Sequence, residues 1–254
     1  MIVEWECVLA CNYKCFYCGN GRNDMIDKPI PFETDIDKVF KFLDGIKSEF
    51  PDEELFVFGG EPFLHPHIEL IIKHMNEIGL KFVIQTNFSC TDRIRMIADT
   101  QELNIQISLH PSEINDKIDT LNGIEEMENI IRRIDVMFIG QPSYDLFREV
   151  IQRLNDKSIL YTTPVADFNI SGVCNDHLYE FNKVKKTVFG QAYRFEKGDR
   201  SYQWEDQMRG DITYKGKTCI YKDKYVLFDP ALKRYTCNYR QNNEVCPNDQ
   251  CFLM

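Results

Sequence analysis

Three cysteines stand close together near the start of the chain: Cys11, Cys15 and Cys18, separated by three and then two residues. A loop of that length can turn three thiolates inward onto one iron–sulfur cubane. Three protein ligands on four irons leave one iron open, and an open position is what a metal needs to bind a substrate directly. Zinc is the competing reading, and it asks for a fourth ligand nearby. Cys7 lies upstream in a β-type run, and no histidine occurs before His65. A second constellation, Gly59-Gly60-Glu61-Pro62, follows another apolar run. Glycines there let the main chain approach a ligand closely, and a carboxylate can accept hydrogen bonds from an ammonium group. A third set, Cys219, Cys237, Cys246 and Cys251, supplies four thiolates near the C-terminus. Four thiolates suit a fully ligated [4Fe–4S] cluster and a tetrahedral zinc equally well. Cys7, Cys90 and Cys174 read as small packing residues, with Cys90 capping a helix start.

These residues need elements to position them. Apolar β-type runs at 2–8, 55–58, 81–86, 104–109, 136–139 and 159–164 alternate with helical patterns. In the first helix Thr34 or Asp35 can cap, and Ile36, Val39, Leu43, Ile46 and Phe50 share a face. Ile68, Ile71, Ile72, Met75 and Ile78 repeat that spacing, and stretches 92–99, 125–133, 144–155 and 177–188 read as further helices. Six strands alternating with helices predict a parallel sheet with crossover connections. Periodicity alone does not separate an open sheet from a barrel, but both put functional loops at the carboxyl ends of the strands. The cysteine loop follows the first strand and the glycine turn follows the second. Past residue 189 the pattern changes to short turns, with seven of the twelve tyrosines and four of the ten cysteines. The expected organisation is therefore a large α/β domain over 1–189 and a small cysteine-dependent module over 190–254. Within that module, 225–228 and 233–237 read as a β-hairpin around Asp229-Pro230.

The charge balance narrows the partners. Residues 1–189 carry 19 basic and 31 acidic side chains, a net −12, and 190–254 carry 11 and 9, a net +2. An acidic body disfavours nucleic acid, which needs a basic footprint. No apolar run is long enough for a membrane helix, and the N-terminus lacks the basic and apolar regions of a secretory signal. Cytoplasm is the expected compartment, where thiols serve metal or redox roles more often than disulfides.

Cys11-Asn-Tyr-Lys-Cys15-Phe-Tyr17-Cys18, with an aromatic residue just before the last cysteine, resembles the motif of the radical S-adenosylmethionine (radical SAM) superfamily, and the glycine turn after the next strand resembles that family's second motif. The resemblance implies a partial (β/α)6 TIM-like barrel. It implies a [4Fe–4S] cluster on Cys11, Cys15 and Cys18, with S-adenosylmethionine chelating the open iron. Reductive cleavage to a 5′-deoxyadenosyl radical and hydrogen abstraction from a substrate would follow. Carried onto this sequence, Tyr17, Gly59, Gly60, Glu61, Pro62, Thr86, Asn87 and Ser108 become cofactor-binding candidates. Thr86-Asn87 stands where the family often has Thr-Asn-Gly, with Phe88 replacing the glycine. His110 is a candidate acid or base, whereas His65 and His67 read as turn or helix-start residues. The tail resembles the SPASM auxiliary-cluster module in its shortened Twitch form, with Leu232 in place of the hairpin glycine, so a different turn geometry is expected.

The expected function is thus net oxidation of a small molecule or peptide, with a second [4Fe–4S] cluster in the tail accepting an electron. A flavodoxin or ferredoxin is the expected donor, and the sequence leaves the oligomeric state open. Ten residues precede Cys11, which leaves no room for an N-terminal peptide-recognition domain and tilts the expectation toward a small molecule. The alternatives are a redox-neutral rearrangement or carbon–carbon bond formation with a structural tail cluster, and a non-catalytic metal-binding scaffold.

Overall fold

The structure, a computed structural model of the 254-residue chain, describes residues 1–15, 32–110, 114, 117–136, 160–162 and 224–236. Its strands are β1 (Ile2–Val8), β2 (Leu55–Gly59), β3 (Phe82–Thr86), β4 (Ile105–Leu109), β5 (Ile131–Val136), β6 (Leu160–Thr162), β7 (Tyr225–Phe228) and β8 (Arg234–Tyr235). They form one sheet in the order β6-β5-β4-β3-β2-β1-β7-β8. Strands β1 to β6 are neighbours in chain order and all pair in parallel. The loops that leave their carboxyl ends therefore gather on one side of the fold.

The helices are α1 (Ile36–Glu49), α2 (Ile68–Glu77), α3 (Thr91–Ala98) and α4 (Lys117–Glu126). Asp35 caps α1, its side chain accepting from the Asp37 and Lys38 amides of the first turn. Val39, Leu43 and Ile46 of α1 and Ile68, Ile71, Ile72 and Met75 of α2 are buried along one stripe of each helix. Each such side chain contributes about 1.5–3 kcal/mol by leaving water. Alternation along β1 sends Val3, Trp5 and Cys7 toward these helices, where the Trp5 ring lies 5.3 Å from that of Phe42 on α1. The opposite face of the sheet is more polar, because register pairs Gln85 with Gln106 and Gln106 with Arg133, while Glu4 and Glu6 of β1 alternate with the helix-facing set.

Residues 125–133, expected as a helix, divide instead between the end of α4, a short 3-10 turn and β5. The spacing of Met127, Ile130, Ile131 and Ile134 suits a helix, but pairing of Ile134 with Ile107 and of Arg133 with Gln106 turns the segment into a strand. Tertiary pairing outweighs local periodicity here. Helical expectations at 144–155 and 177–188 lie outside the described residues, as does most of the strand expected at 136–139.

The tail hairpin is attached to the main sheet. β7 runs parallel to β1, pairing Ile2 with Tyr225 and Trp5 with Phe228, and β8 returns antiparallel to it. Both legs of the hairpin thus meet the rest of the chain at the end of the sheet opposite the cysteine loop. Asp229 fastens the turn: Oδ1 accepts from the Ala231 and Lys233 amides and Oδ2 from the Tyr235 hydroxyl. Leu232 adopts φ 63°, the left-handed region usually left to glycine. The turn expected to change shape therefore keeps a glycine-like backbone with leucine in place. Among the described residues, no helix is long and apolar enough to cross a membrane.

Candidate active site

The site grows from a defect in the β1–β2 ladder. Register shifts between Glu6 and Val8, and pairing ends with Val8 opposite Gly59. Two further hydrogen bonds continue the contact, Gly60 N–H to the Val8 carbonyl at 2.7 Å and Glu61 N–H to the Ala10 carbonyl at 2.8 Å. The glycine turn is thereby stitched to the segment that enters the cysteine loop. A Cβ on Gly59 would stand 2.2 Å from the Val8 oxygen, and one on Gly60 would stand 2.0 Å from the Ala10 oxygen. In this structure the close approach that demands glycine comes from the protein's own main chain.

Glu61 is fully buried behind that turn. One carboxylate oxygen accepts from the Phe63 amide and the Thr86 hydroxyl, and the other accepts from the Asn87 amide at 2.7 Å. Desolvation pushes its pKa from 4.5 up to about 7, against the downward pull of those three donors. The carboxylate joins the end of β2 to the end of β3. Thr86 Oγ1 in turn accepts from the Phe88 amide, so its hydroxyl hydrogen is directed at Glu61.

Phe88 also takes a left-handed backbone, φ 62°, at the position where the resemblance expects glycine. Its ring is buried, and a Cβ on Gly123 of α4 would come within 3.3 Å of it. The lack of a side chain at Gly123 gives that ring its space. Phe88 thus serves packing and leaves the ligand side to its neighbours.

Asn87 carries the link onward to the cysteines. Its amide oxygen accepts from the Ser89 amide and hydroxyl, and its Nδ2 donates to Asn12 Oδ1 at 3.1 Å and Cys11 Sγ at 3.6 Å. The Tyr13 amide also donates to Cys11 Sγ, at 3.4 Å. Cys15 is buried, with its Sγ 3.6 Å from Nδ1 of His110, whose ring meets Tyr13 edge-on. N–H groups aimed at the Cys11 sulfur fit a thiolate that carries negative charge onto a metal.

Several sequence candidates therefore converge: Cys11, Cys15, Gly59, Gly60, Glu61, Pro62, Thr86, Asn87, Ser108 and His110 all lie at or just beyond the carboxyl ends of β1 to β4. Ser108 is buried near the end of β4. Tyr17, Cys18, Cys219, Cys237, Cys246 and Cys251 lie outside the described residues. Among the described residues, no group of three metal-ligating side chains is complete. His65 sits in the turn as expected, its Nδ1 accepting from the His67 amide, and burial, His67 and Arg93 together lower its pKa to about 4. Cys90 occupies the N-cap position of α3, as expected, but makes no side-chain capping bond; its thiol lies near Ser89 Oγ. The roles of Asn12 and Ser89 escaped the sequence reading, because only the fold brings residues 12 and 89 together.

Comparison with known proteins agrees with this geometry. An S-adenosylmethionine-dependent nucleotide dehydratase of Psychrobacter lutiphocae is 24% identical over 96% of this chain and 84% of its own. An AdoMet-dependent heme synthase of Methanosarcina barkeri is 25% identical over 54% of this chain and 40% of its own length. In structure, Streptococcus suis SuiB bound to S-adenosylmethionine matches 93% of this chain with a TM-score of 0.62 at 12% identity, and this chain spans 60% of it. At that identity the match speaks for the fold. The model of the Radical SAM superfamily matches residues 5–165, from within β1 to just past β6, and the chain belongs to that superfamily of [4Fe–4S] and S-adenosylmethionine enzymes.

Proposed function

We propose that Cys11, Cys15 and Cys18 hold the cluster while Gly59, Gly60, Pro62, Thr86, Asn87, Ser108 and Tyr17 shape the S-adenosylmethionine site, and that the chain oxidises a small molecule or peptide. When bound, the cluster and S-adenosylmethionine supply a 5′-deoxyadenosyl radical able to take a hydrogen atom from substrate. The observation that carries this reading is the hydrogen-bonded path from the glycine turn through Glu61 and Asn87 to Cys11. Glu61 spends both oxygens on protein donors, so it would serve the ligand by fixing the turn whose main chain would hold the methionine end. His110 stands against Cys15, which favours a supporting role at the cluster over acid–base work on substrate.

The oxidative outcome draws on the tail. Cys219, Cys237, Cys246 and Cys251 would hold a second [4Fe–4S] cluster, with zinc the competing occupant, in a module over 190–254 beside a barrel over 1–189. The Asp229-fastened hairpin lies between Cys219 and Cys237 in sequence, and both its legs leave at one end of the sheet, which supports bringing these two together. A flavodoxin or ferredoxin would supply the electron to the first cluster.

A second reading is favoured by one observation: the match to the nucleotide dehydratase runs over 96% of this chain, tail included. It favours a nucleotide substrate that loses water without net oxidation. SuiB, in turn, has been solved bound to the precursor peptide SuiA, which keeps a peptide in view.

The test is anaerobic reconstitution, dithionite reduction and turnover with nucleotides, peptides and small alcohols. We expect 5′-deoxyadenosine from the wild type and none from Cys15→Ala. A substrate mass change of two hydrogens supports oxidation, and loss of water supports dehydration. Absence of 5′-deoxyadenosine, or identical behaviour of Cys15→Ala, refutes both.

A further inference from the structure

We propose that Asn87 is a positioning residue that sets the reduction potential of the cluster by donating a hydrogen bond to the Cys11 sulfur, and that Ser89 and Glu61 fix it in that pose. The proposal rests on the reading of Cys11 as a cluster ligand.

The orientation of the Asn87 amide is settled by its surroundings. Its oxygen accepts from the Ser89 main-chain N–H at 2.9 Å and from the Ser89 hydroxyl. A main-chain N–H can only donate, so the oxygen belongs on that side. The NH2 group must then face Asn12 Oδ1 and Cys11 Sγ, and its two hydrogens serve the two acceptors. The Asn87 main-chain N–H is held by Glu61 Oε2 at 2.7 Å. Glu61 is anchored in addition by Thr86 and Phe63. The left-handed Phe88 that follows, with its ring buried, turns the chain so that Ser89 comes back onto the Asn87 side chain. Asn87 itself is buried, so its Nδ2 reaches the half-buried Cys11 sulfur from the protein side.

A reduced cluster carries one more negative charge than an oxidised one. A donor on a ligand sulfur favours the reduced form, and hydrogen bonds to sulfur are among the levers that set cluster potentials. The same path gives the turn that shapes the S-adenosylmethionine site a mechanical link to the metal. Movement of Gly60-Glu61 on ligand binding would be felt at Cys11 through two hydrogen bonds, from Glu61 to Asn87 and from Asn87 to sulfur.

The experiment uses the full chain, reconstituted with iron and sulfide and titrated anaerobically with the reduced cluster followed by electron paramagnetic resonance. Asn87→Leu keeps the shape and deletes the donor. Asn87→Asp keeps the shape and places an acceptor against sulfur. Ser89→Ala removes the hydroxyl but leaves the main-chain N–H that orients Asn87. We expect the midpoint to fall in Asn87→Leu, with the reduction equilibrium disfavoured up to about tenfold, or 59 mV for one electron. Asn87→Asp should fall further, and Ser89→Ala, which keeps the orienting main-chain N–H, should fall by less than Asn87→Leu. Unchanged midpoints in both Asn87 variants at full iron content overturn the proposal. Should those variants fail to load iron, 15N-asparagine in the wild type decides. A nitrogen coupling to the reduced cluster that persists in Asn12→Ser supports the contact, and no coupling overturns it. A wild-type chain that holds no iron and sulfide removes the cluster reading itself, and this proposal with it.

Discussion

Replacing Gly60 by alanine adds one methyl group where the main chain of Ala10 already lies. The new Cβ would stand 2.0 Å from the Ala10 oxygen, 2.4 Å from its carbonyl carbon and 2.6 Å from the Leu9 oxygen. All three are main-chain atoms, so no side-chain rotation relieves the contact. Either the glycine turn or the entry to the cysteine loop must retreat by more than an ångström. Retreat breaks Gly60 N–H to Val8 O and Glu61 N–H to Ala10 O. Each lost hydrogen bond costs about 0.5–1.5 kcal/mol, and overpacking adds about 1–3 kcal/mol. A net loss of about 3 kcal/mol is expected, a fall in Tm of roughly 6–12 °C for a chain of this size. Gly45 is the internal control. It lies exposed within α1 and has nothing within 4 Å of its would-be Cβ. Alanine there should stabilise by about 0.5–1 kcal/mol, because helix propensity is all that changes. Urea unfolding of the iron-free chain measures both stabilities, and iron content after reconstitution reports the loop. Equal stability of the two variants, or full cluster loading by Gly60→Ala, would refute the claim that the turn and the loop are one packed unit.

Glu61 and His65 should pull stability in opposite directions with pH. The raised pKa of Glu61 gives stability that is full below 4.5 and lost as pH rises through about 7. The lowered pKa of His65 gives stability present above 6.5 and lost as pH falls through about 4. Each is worth at most about 3 kcal/mol, so the wild type should be nearly flat between them. Urea midpoints should rise with pH in Glu61→Gln and fall with pH in His65→Phe; parallel profiles would contradict the assignment. Phe88→Gly relieves left-handed strain of about 1–2 kcal/mol but empties a buried ring site worth about 3–5 kcal/mol, so it should destabilise. Half-buried Leu232 should tolerate glycine within about 1 kcal/mol, and a reversed order in chemical denaturation would count against the strain argument. Asp229→Ala removes the acceptor for three donors and should loosen the hairpin by about 2–4 kcal/mol. Amide exchange at 225–235 should then accelerate, and unchanged exchange would show the turn held by other means.

Element periodicity made most of the sheet legible. Four of the first six strand readings fall within a residue or so of β1 to β4, because short apolar runs between capped amphipathic helices leave little choice. The helix read at 125–133 failed since spacing of isoleucines at three and four residues is compatible with both structures, and only the β4 partner decides. At the site, residue type and spacing singled out Cys11, Cys15 and Gly59 to Pro62, since sulfur ligation and a glycine turn need particular atoms at particular intervals. Spacing reads the glycines as room for a ligand, and the structure adds a requirement from the protein's own main chain. The Val8 and Ala10 carbonyls that require them come from another strand and carry no local signature.

By itself the sequence determined the alternating architecture, the two cysteine-bearing ends and the family chemistry of the first loop, all of which are written in nearest-neighbour spacing and side-chain type. Only the tertiary structure decided what the polar residues around that loop do. It buried Glu61 as a bridge between two strand ends, turned Asn87 onto Cys11 across 76 residues of sequence, and set His110 against Cys15. It also let phenylalanine and leucine hold left-handed turns where glycine was expected. The physical reason is the same in each case. Desolvation, hydrogen-bond direction and packing room depend on what the rest of the fold brings alongside, and a linear sequence does not contain that neighbourhood.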